Sequence, residues 1–186
     1  MTEKIKILGI PGSIRKKSYN RYLLEAAKEL KPENVEISIF DIGEIPMYDG
    51  DLDRDGGPEP VNKFRSAIAD ADGILISTPE YNYSIPGVLK NAVDWASRPA
   101  RESVLNMKPL AVMGTTGGMY GTIRAQIHMR QIAQSVNMMD MKRPELMIPK
   151  EQEKFDADGK LTDEAAREHL KKFMLAFENW IKIFKD

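Results

Sequence analysis

Apolar residues fall into short runs that alternate with longer stretches of helical periodicity. The short runs predict strands over 5–10, 35–40, 73–78 and 110–113, and a brief fifth strand near 140–142. Apolar positions spaced three or four residues apart predict helices over 20–30, 61–71, 88–95, 122–136 and 162–184. Strands that alternate with helices indicate a parallel sheet with helices on both faces, so the fold class is α/β.

Two features of this pattern bear on function. Asn20 stands where the first helix begins, and we expect it to cap that helix. Residues 41–60 are rich in Asp, Gly and Pro, which makes the segment too polar to pack and too long for an ordinary turn. It is either a functional flap, with an acidic part at 49–55, or a mobile loop.

Composition narrows the chemistry. A length of 186 residues predicts one domain over 1–186, and a net charge of -1 argues against nucleic acid as a partner. Because the chain has no cysteine, it cannot build a disulfide or an iron–sulfur cluster, and redox chemistry would need a bound cofactor. Residues 1–6 lack the pattern of a signal peptide, and no segment reaches membrane-spanning length, so we expect a cytoplasmic protein without membrane contact.

The loop after the first strand, residues 12–20, suits an anion. Ser13 and Ser18 supply hydroxyls, Arg15 a guanidinium and Asn20 an amide, next to the free N–H groups of a helix start. Neither the dinucleotide fingerprint nor the P-loop fits the loop, and a terminal phosphate is the expected ligand. The alternative is a solvated basic turn in which Ser18 or Asn20 only caps the helix.

Two further loops follow the third and fourth strands at the same edge of the sheet. Residues 79–84 have the sequence Pro-Glu-Tyr-Asn-Tyr-Ser, and residues 114–118 have the sequence Gly-Thr-Thr-Gly-Gly. Ligands of open α/β sheets bind beyond the carboxyl ends of the strands, so these loops predict a binding site. Ordinary surface packing of the two tyrosines and a glycine turn with positive φ are the alternatives.

The spacing Gly-Ser-x-Arg-x-x-Ser-x-Asn over 12–20, with the segment 79–95, resembles the NADPH-dependent FMN reductase family of flavodoxin-like proteins. That family includes quinone, azo-dye and chromate reductases, and the resemblance covers residues 4–145. It implies a flavodoxin-like three-layer sandwich with a five-stranded parallel sheet of order 2-1-3-4-5. Periodicity alone leaves a Rossmann arrangement open.

The resemblance also implies the activity. Electrons would pass from NADPH or NADH through bound FMN to a small-molecule acceptor in a ping-pong cycle, the acceptor being a quinone, an azo compound, chromate or free flavin. Because the flavin N5 carries the hydride, no catalytic side chain is expected. A flavodoxin-type electron carrier and a non-catalytic FMN-holding module are the alternatives. Arg15 argues against the electron carrier, because flavodoxins are acidic proteins whose phosphate-binding loops carry no charged side chain.

The cofactor residues implied by the resemblance come from all three loops. The first holds the FMN phosphate, the second wraps the ring and ribityl chain, and backbone N–H groups of the third lie near the flavin N1–O2 edge. We expect no metal site, and we expect His128 and His169 at the surface or an interface. The expected cofactor-binding residues are Ser13, Arg15, Ser18, Tyr19, Asn20, Pro79, Glu80, Tyr81, Asn82, Tyr83, Ser84, Thr115, Thr116, Gly117 and Gly118.

Assembly as a homodimer or homotetramer is the last implication. The helix over 88–95 carries more apolar residues than one face of a small sheet needs, which predicts an interface. For Leu89 and Val93, packing under the sheet is an equal alternative. The first predicted contact comprises Val88, Leu89, Ala92, Val93 and Trp95; the second, leading to a tetramer, comprises Arg124, His128, Met129, Arg130, Met138 and Met139.

Overall fold

The computed structural model describes residues 4–54 and 56–185. Residues 1–3, which belong to the segment compared with a signal peptide, lie outside the described residues, as do Asp55 of the acidic segment 49–55 and Asp186.

A parallel sheet forms the middle layer. Its strands are β1 (Ile5–Pro11), β2 (Val35–Ile39), β3 (Gly73–Ser77), β4 (Pro109–Thr115) and β5 (Met139–Asp140), in the order β2-β1-β3-β4-β5. A sixth strand, β6 (Leu146–Ile148), pairs in parallel with the end of β4, whereas β5 pairs with its beginning. The predicted order is confirmed, and the number of strands was one too low because three residues are too few to show periodicity.

Five helices cover the two faces of the sheet: α1 (Tyr19–Leu30), α2 (Glu59–Ala69), α3 (Gly87–Ala96), α4 (Ile123–Ser135) and α5 (Glu164–Lys182). Helices α1 and α5 pack on one face, and α2, α3 and α4 pack on the other. Successive residues of β3 serve opposite faces, since Ile74 and Ile76 join one core cluster and Leu75 joins the other. In the part of the chain that the structure describes, no helix combines the length and the apolarity needed to cross a bilayer.

The segment over 41–57, in which Asp55 lies outside the described residues, is anchored to the protein through Ile42, Ile45 and Pro46, so the prediction that residues 41–60 are too polar to pack was wrong. Ile42 and Ile45 are buried in the core. The carbonyl of Pro46 accepts hydrogen bonds from the Asn91 amide and the Trp95 indole, both at 2.8 Å. Two buried isoleucines and two donors from α3 anchor a segment in which Asp and Gly are frequent.

Helix α3 does not present an apolar interface. Leu89, Ala92, Val93 and Trp95 are all buried in the chain's own core, between the sheet and the segment over 41–57. Val88 packs against the same cluster. These side chains serve folding, so the predicted contact surface on this helix was wrong.

The second predicted contact is only partly exposed. Met129 and Met138 are buried, and Met139 is half-buried. The Arg130 guanidinium lies between Asp140 and Glu145, at 3.8 and 3.9 Å. Because four of the six predicted residues are used internally, Arg124 and His128 on α4 are what remains of the predicted surface.

Candidate functional site

The loops after β1, β3 and β4 meet at the carboxyl edge of the sheet. They enclose a cavity of about 150 Å³. The prediction that the three loops converge is confirmed by this geometry. The cavity is lined by Ser13, Arg15, Ser18, Tyr19, Asn20, Pro79, Glu80, Tyr81, Thr115, Thr116 and Glu151.

The first loop leaves its polar groups available to a ligand. Ser18 is the N-cap residue of α1 in extended conformation, yet its hydroxyl caps no backbone N–H. The Ser13 hydroxyl accepts a hydrogen bond from the Arg15 N–H at 3.3 Å. The Arg15 side chain is exposed and lines the cavity. A hydroxyl, a guanidinium and the unpaired N–H groups of a helix start together fit a phosphate.

Asn20 has a different task from the predicted cap. It is the second residue of α1 and is buried, with 3% of its surface exposed. Its amide nitrogen donates to the Thr115 carbonyl at 2.9 Å, and its oxygen accepts the Thr115 N–H at 3.1 Å and the Ser77 hydroxyl at 3.0 Å. Asn20 therefore fastens the first loop to β3 and β4, and it also lines the cavity.

The second loop contains a tight turn with an unusual backbone. Tyr81 and Ser84 exchange two backbone hydrogen bonds, of 2.9 and 3.0 Å. Between them Asn82 and Tyr83 have φ of 50° and 65°, in the left-handed region that an aromatic residue seldom adopts. Backbone strain of this kind costs about 1–3 kcal/mol and concentrates at ligand sites.

Side chains of the same turn are held from α4. The Arg124 guanidinium lies 4.0 Å from the centre of the Tyr83 ring, and Ser84 Oγ lies 3.0 Å from His128 Nδ1. The rings of Tyr81 and Tyr83 nevertheless stay open to solvent, at 45% and 63% exposure. They form an aromatic rim beside the cavity.

Glu80 is not an exposed turn residue. Only 14% of its side chain is exposed. One carboxylate oxygen accepts the N–H groups of Arg124 at 2.9 Å and Ala125 at 3.2 Å, and the other accepts the Arg124 guanidinium at 3.4 Å. A residue of the second loop thus caps α4, where negative charge also suits the helix dipole.

The third loop offers fewer backbone donors than we expected. The N–H of Thr115 is bound by Asn20, and that of Thr116 donates to the Ile148 carbonyl at 3.1 Å. The remaining backbone donors of the loop are those of Gly117 and Gly118. Neither glycine has a positive φ, so the glycine-turn alternative was wrong. A Cβ on Gly117 would lie 2.7 Å from the amide nitrogen of the exposed Gln152 side chain, which can rotate away.

Glu151 is the site residue that the sequence did not indicate. It lies on a short helical turn after β6, and its N–H donates to the Thr116 carbonyl at 3.2 Å. Burial raises the pKa of its carboxyl group, and the positive charge of Arg15 and a hydrogen bond from Thr115 act in the opposite direction. No motif predicted it, because the resemblance ended at residue 145.

The donor set fits FMN. A cavity of about 150 Å³ holds a phosphate and part of a ribityl chain, so a flat ring would lie outside it against the aromatic rim and the two free glycine amides.

Comparison with known proteins gives the same assignment. The profile of the family described as NADPH-dependent FMN reductase matches residues 5–153. An NAD(P)H-dependent FMN reductase of Pseudomonas aeruginosa is 44% identical over 98% of both chains, and a 2-hydroxy-1,4-benzoquinone reductase of Burkholderia sp. is 43% identical over 96% of this chain and 97% of that one.

A solved structure agrees closely with the fold. The flavoenzyme NAD(P)H:(acceptor) oxidoreductase FerB from Paracoccus denitrificans superimposes with a TM-score of 0.90 at 36% identity, over 97% of this chain and 98% of that chain. The predicted flavodoxin-like fold, the enzyme class and the FMN cofactor with an NAD(P)H donor are confirmed. The chain belongs to the NADPH-dependent FMN reductase family.

Proposed function

We propose that this chain reduces quinones and related acceptors in a ping-pong cycle, in which NAD(P)H and the acceptor occupy one site in turn. The proposal rests on one observation: the anion-binding cavity and the exposed aromatic rim lie side by side at the same edge of the sheet. A cofactor anchored in the cavity would be covered on one side by the loops and open on the other. A single open face favours sequential use by two flat substrates.

The residues of the three loops would hold FMN. Ser13, Arg15, Ser18 and the first turn of α1, which includes Tyr19 and Asn20, would bind the phosphate. Residues 79–84 would contact the ring and ribityl chain, with Tyr81 and Tyr83 on its open side. The N–H groups of Gly117 and Gly118 would face the N1–O2 edge, where they would stabilise negative charge.

When bound, FMN supplies hydride acceptance and electron delivery. The chain's own contribution is binding and orientation. The tight turn over 81–84 fixes the aromatic rim, and Glu80 fixes that turn to α4. Tyr120, which is 73% exposed, lies next to the rim, because the Arg124 guanidinium is 5.7 Å from the centre of its ring and 4.0 Å from that of Tyr83. A quinone suits such a surface, and one relative is itself described as a benzoquinone reductase.

Assembly into a homodimer or homotetramer is part of the proposal. Since α3 is buried, the exposed side of α4 is the better candidate surface, with Ile123 at 38% and Ile127 at 56% exposure. Size-exclusion chromatography with light scattering tests the assembly, and a monomer that retains FMN would contradict it. A cytoplasmic location, tested by cell fractionation, completes the proposal.

Anaerobic addition of NADPH to the purified holoprotein tests the activity. We expect the flavin absorbance to bleach in a stopped-flow instrument and to return when a benzoquinone is added, with parallel double-reciprocal plots. An electron carrier or a non-catalytic FMN-holding protein would stay oxidised under NADPH. Intersecting plots would contradict the ping-pong cycle.

A pair of variants tests the phosphate site. Arg15→Ala removes a charge-assisted contact worth about 1.5–3 kcal/mol, so FMN affinity should fall roughly 10- to 150-fold. Lys17→Ala removes an exposed charge from the same loop that does not line the cavity, and its affinity should stay close to that of the unmodified protein. Equal affinity of the two variants in a fluorescence titration would contradict the placement.

A further inference from the structure

A carboxylate lines the cavity that is otherwise built for an anion. Glu151 lines the same cavity as Ser13, Arg15 and Ser18. Its turn is held to the third loop by two backbone hydrogen bonds, from Glu151 to Thr116 at 3.2 Å and from Lys150 to Gly118 at 3.1 Å. These bonds fix the backbone of the turn, and the carboxyl group is close enough to Arg15 and Thr115 for both to lower its pKa.

This arrangement brings like charges together when a phosphate enters. A phosphate monoester carries close to two negative charges near neutral pH, and a carboxylate beside it in a half-buried space repels it. Burial already raises the pKa of Glu151, and Arg15 opposes that rise. A bound phosphate would engage Arg15 and add negative charge, and both effects favour the protonated carboxyl group.

We propose that Glu151 takes up one proton from solvent when FMN binds, so that affinity for the cofactor falls as pH rises. The neutral carboxyl group then donates a hydrogen bond to the phosphate and no longer repels it. This inference rests on the proposed position of the phosphate in the cavity. It makes cofactor loading sensitive to pH, through a residue that does not take part in electron transfer.

Other charged or titratable groups at the cavity come from defined elements. Arg15 belongs to the first loop, Tyr19 to α1, and Glu80 and Tyr81 to the second loop. Both oxygens of Glu80 accept hydrogen bonds from α4, so its charge is already compensated. On the turn itself, Lys150 pairs with Glu153 at 3.4 Å, and Lys154 pairs with Asp163 at 2.6 Å. The third loop contributes no ionisable side chain.

The test measures FMN binding to apoprotein by quenching of flavin fluorescence between pH 6 and 8.5. For the unmodified protein we expect Kd to rise by up to about tenfold per pH unit above the pKa of free Glu151. Glu151→Gln should flatten the profile and bind more tightly at pH 8. Glu153→Gln, whose side chain is 63% exposed on the same turn, is the matched control and should follow the unmodified protein.

Calorimetry in two buffers of different ionisation enthalpy counts the protons. At pH 8, where free FMN phosphate is already fully ionised, we expect net uptake of up to one proton by the unmodified protein and none by Glu151→Gln or by a second variant, Glu151→Ala. Riboflavin, which lacks the phosphate, should bind without this uptake.

The outcomes separate the inference from the proposed function. Zero uptake by the unmodified protein, equal uptake by the Glu151 variants, or the same uptake with riboflavin would each overturn the inference while FMN still binds. Failure of the unmodified apoprotein to bind FMN at every pH would defeat the proposed function instead.

Discussion

Replacing Asn20 by alanine should destabilise the protein even without cofactor. The side chain joins the start of α1 to β3 and β4 through three hydrogen bonds, to Ser77 and twice to Thr115. Asn20 is 3% exposed, and Ser77 and Thr115 are fully buried. Alanine would leave a hydroxyl, an N–H and a carbonyl without their partner in a site that water enters poorly.

The magnitude follows from the count of lost bonds. Each contributes about 1 kcal/mol net, and a buried group left unpaired costs up to about 3 kcal/mol, so the loss should be at least about 3 kcal/mol. For a domain of this length that corresponds to a fall in Tm of roughly 6–12 °C. It is also a large part of the roughly 5–15 kcal/mol that stabilises an ordinary domain.

Urea unfolding of the apoprotein, followed by tryptophan fluorescence, measures this loss. Apoprotein is needed because bound FMN would add its own stabilisation. Asn106→Ala is the matched control, since that asparagine is exposed and its side chain accepts one bond, from Asn137 at 2.7 Å. The control should lie within about 0.5 kcal/mol of the unmodified protein. An Asn20→Ala variant within 1 kcal/mol of it, at unchanged m-value, would refute the reasoning.

Three further changes test other parts of the structure. Asn82→Val places a β-branched residue at φ 50°, so both unfolding free energy, by about 1–2 kcal/mol, and FMN affinity should fall; a variant unchanged in both would contradict the role of the turn. Asn91→Ala removes two hydrogen bonds to the segment over 41–57, so hydrogen exchange at the Tyr48 amide should become about tenfold faster or more. An unchanged exchange rate would contradict the role of Asn91 as the anchor of this segment. Asp163→Ala removes the cap of α5 and should cost about 1 kcal/mol at pH 7. Hydrogen bonding by Lys154 lowers the pKa of Asp163, so the contribution of Asp163 to the free energy of unfolding is complete above the ordinary value of 3.8 and is lost as pH falls below it. A difference in unfolding free energy between variant and unmodified protein that persists at about pH 2 would contradict the mechanism.

The order of strands and helices along the chain could be predicted from the sequence, because burial of an element determines its local pattern of apolar residues. Strands buried on both faces are continuously apolar, as in β3 and β4, and amphipathic helices repeat every three or four residues. Two loop sequences with strict spacing indicated the family and the cofactor through their resemblance to known members, whereas their place after two strands indicated only a ligand site at the sheet edge. Short elements leave no such record, which is why β6 was missed.

Which neighbour each residue meets was decided only by the tertiary structure. The sequence showed that α3 is apolar, but the fold buried it beneath a segment that looked too polar to pack. Glu80 caps a helix that begins more than forty residues later, and Asn20 binds a strand 95 residues away. Glu151 reaches the cavity because β6 pairs with β4. Periodicity shows whether a side chain is buried. Its contact partners depend on which distant segments the sheet brings together, and the local sequence does not contain that information.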